Sequence, residues 1–303
     1  MRIVSLVPHA TELLFALGLG DRVVGVTHEC DHPPEARERR HVTRDRLPAG
    51  LDAAGIDAAV RDATLEGASI YELDEAALAE LAPDLIVTQA LCAVCAVSYD
   101  DVQAIAERLD PAPRVVSLDP KTFGETLADV RTIAQATDTK GPAVDLVART
   151  SKRVDRVRLA VKDVTRRPRV AAIEWFDPVF VAGHWTPQLI EMAGGEDVLG
   201  FAGEHSEQST WELVAAAKPD VVIAMPCGYD AERSAAEARA YREALDALGA
   251  ERVVAVDASS YFSRPGPRLV DGVELLGHLL HPDLVPAPPA GRMVEVAGTP
   301  VRG

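Results

Sequence analysis

The chain has 303 residues, 47 Asp and Glu against 31 Lys and Arg, a formal net charge of −16 and only four cysteines. At roughly 100–200 residues per domain the length suits two lobes or one large α/β unit, and 48% hydrophobic with 26% charged residues is the balance of a folded globular chain, not of a disordered one. No apolar run approaches the ~20 residues of a membrane span, and acidity of this size argues against a nucleic-acid partner, which needs clustered Lys and Arg.

At the N-terminus, Met1-Arg2-Ile3-Val4-Ser5-Leu6-Val7-Pro8 is a short apolar run stopped by proline. It reads as a first buried strand, not as a secretory leader with a long apolar segment and a small-residue cleavage site. Together with the few cysteines this predicts a cytoplasmic chain, and an extracytoplasmic one if the true start lies upstream. A helix over 10–17 comes next, closed by Gly18 and Gly20, then a strand over 23–26. Residues 31–66, rich in Pro, Arg and Asp, read as an excursion with short helical or extended pieces. Beyond them lie a helix over 73–81, a break at Pro83, a buried strand over 85–88, a helix over 99–109 and a strand over 115–118.

The middle is different. From 122 to 166 the signal is helical throughout, interrupted only by Gly141-Pro142. Val144, Val147, Val154, Val157, Val161 and Val164 recur at helical steps, while Lys152, Arg153, Arg156 and Arg158 occupy the other face. A helix of ~24 residues would span ~36 Å, long enough to bridge two lobes. Alternation then resumes. Strands are predicted over 169–175, 179–182, 221–224 and 253–256, and helices over 187–193, 211–217, 231–248 and 268–280. The Pro-, Ala- and Gly-rich residues 283–303 read as a flexible tail. Strands alternating with helices define an α/β fold with mainly parallel sheets. The stretch Leu81-Ala82-Pro83-Asp84-Leu85-Ile86-Val87 returns as Ala217-Lys218-Pro219-Asp220-Val221-Val222-Ile223, which points to two similar lobes.

Candidate functional residues lie just beyond strand ends. The strand over 23–26 runs into His28-Glu29-Cys30-Asp31-His32, that over 85–88 into Cys92-Ala93-Val94-Cys95, and that over 221–224 into Met225-Pro226-Cys227-Gly228-Tyr229. The carboxyl ends of parallel strands share one edge, where open α/β sheets bind ligands. Thiolates in sets of four, or mixed with imidazoles, hold zinc or iron–sulfur centres, so Cys30, Cys92, Cys95 and Cys227 are candidate metal ligands, with small buried thiols filling space as the plainer alternative. Glu174-Trp175-Phe176-Asp177-Pro178 and Gly183-His184-Trp185-Thr186-Pro187 place two of three tryptophans at loop edges in a chain with 5% aromatics. Flat side chains there suit a large planar or macrocyclic ligand, or else pack beneath the loops, the reading preferred for Phe180 and Trp211. Tyr261-Phe262-Ser263-Arg264-Pro265-Gly266-Pro267-Arg268 forms a stiff segment whose arginines would meet a ligand carboxylate, amide or phosphate, or local acids. Gly18-Leu19-Gly20 closes a helix instead of following a strand, and neither a P-loop nor a Gly-x-Ser-x-Gly elbow occurs. Binding is therefore favoured over catalysis.

The stretches Ser5-Leu6-Val7-Pro8-His9-Ala10-Thr11-Glu12, Val24 to Pro33, Pro83 to Gln89, Pro187 to Gly195 and Pro219 to Ile223 occur in an order that resembles the class III (cluster A) solute-binding proteins of ABC importers, which take up cobalamin, siderophores and haem. The similarity covers roughly 1–282 and is greatest to the cobalamin-binding branch. It implies two Rossmann-like lobes, 1–120 and 168–282, joined by a helical linker over 121–167 with a long rigid interdomain helix. It also implies a ligand held in an interdomain cleft, with an ABC permease as partner if the chain is exported. Carried onto this sequence, the ligand-facing positions would be Pro8, His9, His28, Glu29, Cys30, Cys92, Cys95, Trp175, Phe176, His184, Trp185, Pro226, Cys227, Tyr229 and Phe262, with Arg264 added from the stiff segment. The reading is a non-enzymatic binder of cobalamin, another corrinoid or a similar metal chelate such as haem or a ferric siderophore. The alternative is a cytosolic metalloprotein with zinc or an iron–sulfur cluster on the same cysteines.

Overall fold

A computed structural model describes residues 1–48, 50–51, 53–65, 70–90 and 97–298. The chain separates into two compact units, one of 1–120 with 128–146 and one of 121–127 with 147–303.

In the N-terminal unit, five strands lie in the order Arg40–His41, Val23–Val26, Ile3–Ser5, Leu85–Thr88 and Arg114–Ser117, all parallel. Every residue of Ile3–Ser5 and Leu85–Thr88 is buried, as expected of central parallel strands covered on both faces. The helix Pro8–Ala16 begins two residues before the predicted start because Pro8 occupies its first turn, where no amide donor is required. The predicted helix over 73–81 is a strand, Tyr71–Leu73, followed by a helix, Glu75–Leu81. Asp74 separates them, its carboxylate accepting the Ala77 amide at 2.9 Å as an N-cap. The excursion after residue 31 contains the strand Thr43–Asp45, paired antiparallel with Tyr71–Leu73, and the helix Ala53–Leu65.

The C-terminal unit has a mixed sheet. Arg169–Phe176, Val221–Ala224 and Arg252–Val256 form its parallel centre. Val179–Val181 and then Glu207–Gln208 continue it antiparallel on one side, with Glu196–Asp197 beside the start of Arg169–Phe176. On the other side the final strand is Met293–Gly298, antiparallel to Arg252–Val256. Residues up to 298 are therefore not a flexible tail. Val294 and Val296, alternating with Glu295, pack on the core, a period-two signal hidden by the surrounding Pro, Ala and Gly.

The repeated Pro-Asp stretch has one physical role in both units. Asp84 accepts the Arg2 amide at 2.6 Å, and Asp220 accepts the Arg169 amide at 2.9 Å. Each aspartate thus anchors the start of the neighbouring central strand. Ala82 and Lys218 both adopt left-handed backbone, with φ of 40° and 48°, to end the preceding helix.

The long helical region is two helices, Phe123–Thr137 and Lys140–Ala160. The break falls at Asp138, whose φ is 57°, and not at Gly141-Pro142, because proline fits a first helical turn. The second helix, 21 residues long, contains residues assigned to both units. Its buried stripe is Ala143, Leu146, Thr150, Val154 and Val157, continued by Val161 just past its end, whereas Val144 points outward at 68% exposure. Within the C-terminal unit Arg153 grips Asp271 at 2.6 Å and Glu274 at 2.5 Å on the helix Leu269–Leu280. Among the described residues no helix is long and apolar enough to cross a membrane.

If Met293–Gly298 is structural, deleting residues 286–303 exposes an apolar strand edge and lowers the thermal midpoint by roughly 5–10 °C. A melt followed by circular dichroism checks this; an unchanged midpoint would show the strand to be dispensable.

Candidate ligand-binding site

In the N-terminal unit the loops after Ile3–Ser5 and Val23–Val26 meet beside the helix Pro8–Ala16. Pro8 is half-buried and His9 buried in its first turn. Cys30 is buried, its Sγ 3.0 Å from the Thr11 hydroxyl and 3.1 Å from that of Thr27. Thr11 in turn donates to Ser5 at 2.8 Å. This thiol belongs to a packed hydroxyl network and is withdrawn from the surface, so it does not stand as a ligand contact or an accessible metal ligand. More open is the group formed by His28, Glu29 and Tyr71. The Thr43 hydroxyl accepts the His28 amide at 3.2 Å and lies 2.8 Å from His28 Nδ1. Tyr71 donates to Glu29 at 3.0 Å, with its ring 5.3 Å from the imidazole of His28. Cys92 and Cys95 lie outside the described residues. Among those described, no group of three or more His, Cys, Asp or Glu could hold a metal.

The C-terminal unit carries the better-formed candidate site. In Arg169–Phe176, Ile173 pairs with Val181 and Trp175 with Phe180, so Glu174 is an extra residue. That bulge reverses the facing of the residues after it, as bulges beside binding sites do. Phe176 turns into the core, 2% exposed and stacked on Tyr241 and Trp211 at 5.3 and 6.2 Å. The expectation that Phe176 touches ligand is therefore corrected. Trp175 takes the opposite face with Phe180. Tyr229, buried, meets its indole edge-on at 5.8 Å, and the Arg233 guanidinium lies 3.7 Å from the Tyr229 ring centre. The indole Nε1 of Trp175 is buried with no acceptor among the described residues.

Two further aromatics are also core residues. Trp185 is 6% exposed because its indole donates to the Phe262 carbonyl at 2.8 Å, and Phe262 itself is 2% exposed. The aromatic clusters at both loop edges are thus split between site and scaffold. Pro226 is buried, whereas Cys227 is exposed on the turn completed by Gly228, whose φ is 78°. The Cys227 amide donates to the Glu174 carbonyl at 3.3 Å, tying this turn to the bulge. Arg264 is half-buried on the loop after Phe262. Cys30 and Cys227 belong to different units.

Glu174 keeps some accessible surface, yet protein atoms crowd its carboxyl. Burial raises its pKa to about 7, against a smaller opposing effect from a hydrogen bond with Ser206. Ser206 Oγ also accepts the Gly183 amide at 3.2 Å. Gly183 is required here: a Cβ would lie 2.6 Å from the Glu204 and His205 carbonyl oxygens. The next residue, His184, is left-handed with φ of 51°. Its amide donates to the Glu204 carbonyl at 2.5 Å and its carbonyl accepts the Gly203 amide at 2.8 Å. The ring Nε2 of His184 then sits 3.1 Å from His205 Nδ1. Burial first, then the charges of His205 and Lys121, hold His184 below its ordinary pKa. Asp197 shapes the same loop by accepting the Leu199 and Gly200 amides at 3.0 and 2.7 Å.

Around the candidates His184 and Trp175 the structure also gathers Lys121, His205 and Ser206, which sequence reading did not single out. His205 and Ser206 lie in the irregular stretch between Glu196–Asp197 and Glu207–Gln208, and nothing in their spacing ties them to Gly183.

A parallel sheet edge ringed by loops, on each of two α/β units, is the architecture of a binding protein. Residues 3–258 match the family model described as periplasmic binding protein, and the chain belongs to that family. It is 24% identical over 289 residues to the vitamin B12-binding protein of Vibrio cholerae, across 90% of this chain and 86% of that one. It is 25% identical over 296 residues to an uncharacterized ABC transporter substrate-binding lipoprotein of Bacillus subtilis, across 93% and 80%. A periplasmic haem-binding protein from Pseudomonas aeruginosa has the same fold, with a TM-score of 0.67 at 19% identity over 98% of this chain and 99% of that one.

The raised pKa of Glu174 makes the folded state bind a proton that the unfolded state releases. Its contribution is fully present below about pH 4.5, the ordinary value, and is lost as pH rises to about 7. Glu174→Gln is expected to stabilise the protein at pH 8, by on the order of 1–3 kcal/mol, and to change little at pH 4. Urea unfolding at the two pH values measures the difference, and equal effects at both would exclude a buried, raised carboxyl.

Proposed function

We propose that this chain is a non-catalytic, extracytoplasmic binding protein that captures a corrinoid or haem-type metal chelate for an ABC permease. The carrying observation is Trp175, turned by the Glu174 bulge onto the face opposite the core and braced edge-on by Tyr229. A flat aromatic wall suits a large planar ligand. The names of relatives supply the chemical class, since those bind vitamin B12 or haem. Their description as periplasmic or lipoprotein binding proteins favours work outside the cytoplasm over the cytoplasmic expectation.

A hydrolytic reading finds little support in the same loops. Ser206 bonds the Glu174 carboxyl and accepts the Gly183 amide, so its hydroxyl is spent on holding the two loops together.

Titration with hydroxocobalamin and with ferric haem, followed by visible absorption and tryptophan fluorescence, should show saturable binding at micromolar protein or below. Trp175→Ala should weaken it at least ~10-fold, about 1.4 kcal/mol, without altering the thermal melt. No response to cobalamin, haem or a ferric chelate would sink the proposal.

A further inference from the structure

We propose that the C-terminal unit carries a second binding site, separate from the residues of its loop face, for a small amphipathic anion. The ligand class is an apolar body of about eight or nine carbons bearing one carboxylate or phosphate. The site is a cavity of about 220 Å³ enclosed by the helix Lys140–Ala160, the helix Leu269–Leu280 and the segment 284–292 that follows. All of its lining residues lie in that one unit. Val157 and Leu275 on the two helices face Val285, Pro286 and Pro288 of the segment across an apolar space. Packed interiors leave few voids larger than a water molecule, so a space of this size suits an occupant. An apolar cavity of about 150 Å³ takes up benzene, and by that ratio about 220 Å³ holds roughly eight or nine carbons. None of this depends on the corrinoid or haem reading.

The segment over the cavity is fastened at its two ends. At the first, the Val285 amide donates to the His281 carbonyl at 3.1 Å, and the Val285 carbonyl lies 2.8 Å from His278 Nδ1. Gly277 lets Val285 and Val157 come close, since a Cβ there would stand 3.2 and 2.8 Å from their methyl groups. At the second end the Arg292 carbonyl accepts the Asp257 amide at 3.0 Å, and the Arg292 guanidinium donates to the Asp257 carboxylate at 2.8 Å. Between these anchors Pro286, Pro288 and Pro289 have no amide donor, and among the described residues no backbone hydrogen bond ties 286–291. The wall is stiff, yet a ligand entering beneath it breaks no backbone hydrogen bond.

Charge selects the sign of the ligand. Four charged side chains line the cavity: Arg156, Asp271, Glu274 and Arg292. Asp271 and Glu274 are both taken by Arg153, at 2.6 and 2.5 Å. Arg292 is taken by Asp257, and its guanidinium lies 5.3 Å from the centre of the Tyr261 ring. Of the four, Arg156 has no hydrogen bond or ion pair to any described residue, and it is exposed. It ends a row with Arg149 and Lys152, spaced i, i+3 and i+7 along one helix face and exposed as well. In a chain of net charge −16, such a row draws anions to the mouth of the cavity. Leu159, one turn beyond Arg156, and Leu284 on the segment stay 63% and 48% exposed, which adds apolar surface at the same place. An inorganic anion would leave the cavity unfilled, and a neutral hydrocarbon would leave Arg156 unmatched. An apolar body with one anionic end satisfies both.

Calorimetric titration of the full chain with octanoate and with octyl phosphate, in separate arms, tests the site. At least one arm should saturate with a dissociation constant of about 0.1 mM or below, and the tighter arm identifies the headgroup. Octylammonium should bind at least ~10-fold more weakly to the wild type. Arg156→Ala should weaken the tighter anion ~10-fold, and Arg156→Glu should reverse the preference toward octylammonium. Ala160→Phe, at an exposed helix position on the cavity wall, should fill the space and abolish binding. Trp175→Ala should leave the octanoate titration unchanged, which separates this site from the loop face. Circular dichroism melts confirm that each variant folds. The proposal is overturned if neither anion saturates the wild type at about 2 mM, or if octylammonium binds it as tightly as octanoate. Anion affinity unchanged in Arg156→Glu or in Ala160→Phe overturns it equally.

Discussion

One extra residue in the strand Arg169–Phe176 governs the chemistry of the C-terminal unit's loop face. Strand side chains alternate strictly, so inserting Glu174 between paired positions exchanges the faces of every residue after it. Without that insertion Trp175 would enter the core beside Ile173, and Phe176 would stand at the edge. With it, Phe176 completes a stack with Trp211 and Tyr241, while Trp175 and Phe180 share the opposite face. The bulged residue itself becomes a crowded carboxyl, held by Ser206 and tied through its carbonyl to the Cys227 turn. Scaffold and site therefore diverge at a single position of a single strand.

The rest of the face is organised by close backbone approach. Gly183 brings one loop against another, Asp197 turns the second loop by accepting two amides, and the two imidazoles meet where they converge. In each unit separately an aspartate, Asp84 or Asp220, ties the start of a central strand. Fixing where parallel strands begin also fixes where they end. The carboxyl-end loops gain a rigid base in this way, and the irregular segments carry the chemistry.

Much of the fold was legible from the sequence. Ile3–Ser5, Leu85–Thr88 and Val221–Ala224 are short apolar runs bounded by turn residues, and such runs have few alternatives to a buried parallel strand. The helices around them, the Pro-Asp repeat and the membership of a binding-protein family were readable for the same reason. Legibility failed where local pattern was outweighed. The Pro- and Gly-rich surroundings concealed Met293–Gly298, and Pro142 marked a helix start where a break was expected. Within the aromatic segments chosen as candidates, Phe176, Trp185 and Phe262 turn out to be core residues. Cys30, read as a thiol for ligand or metal, is enclosed by Thr11 and Thr27.

The sequence by itself determined the order of most strands and helices and which segments follow strand ends, because hydrophobic period and turn chemistry act over a few neighbouring residues. Only the tertiary structure decided which side chain in each segment faces out, and which distant residues meet. Trp175 owes its facing to pairing with Phe180, and His184 meets His205 across 21 positions of chain. Such pairings depend on strand register and on contact between loops, neither of which is encoded within a local stretch of residues.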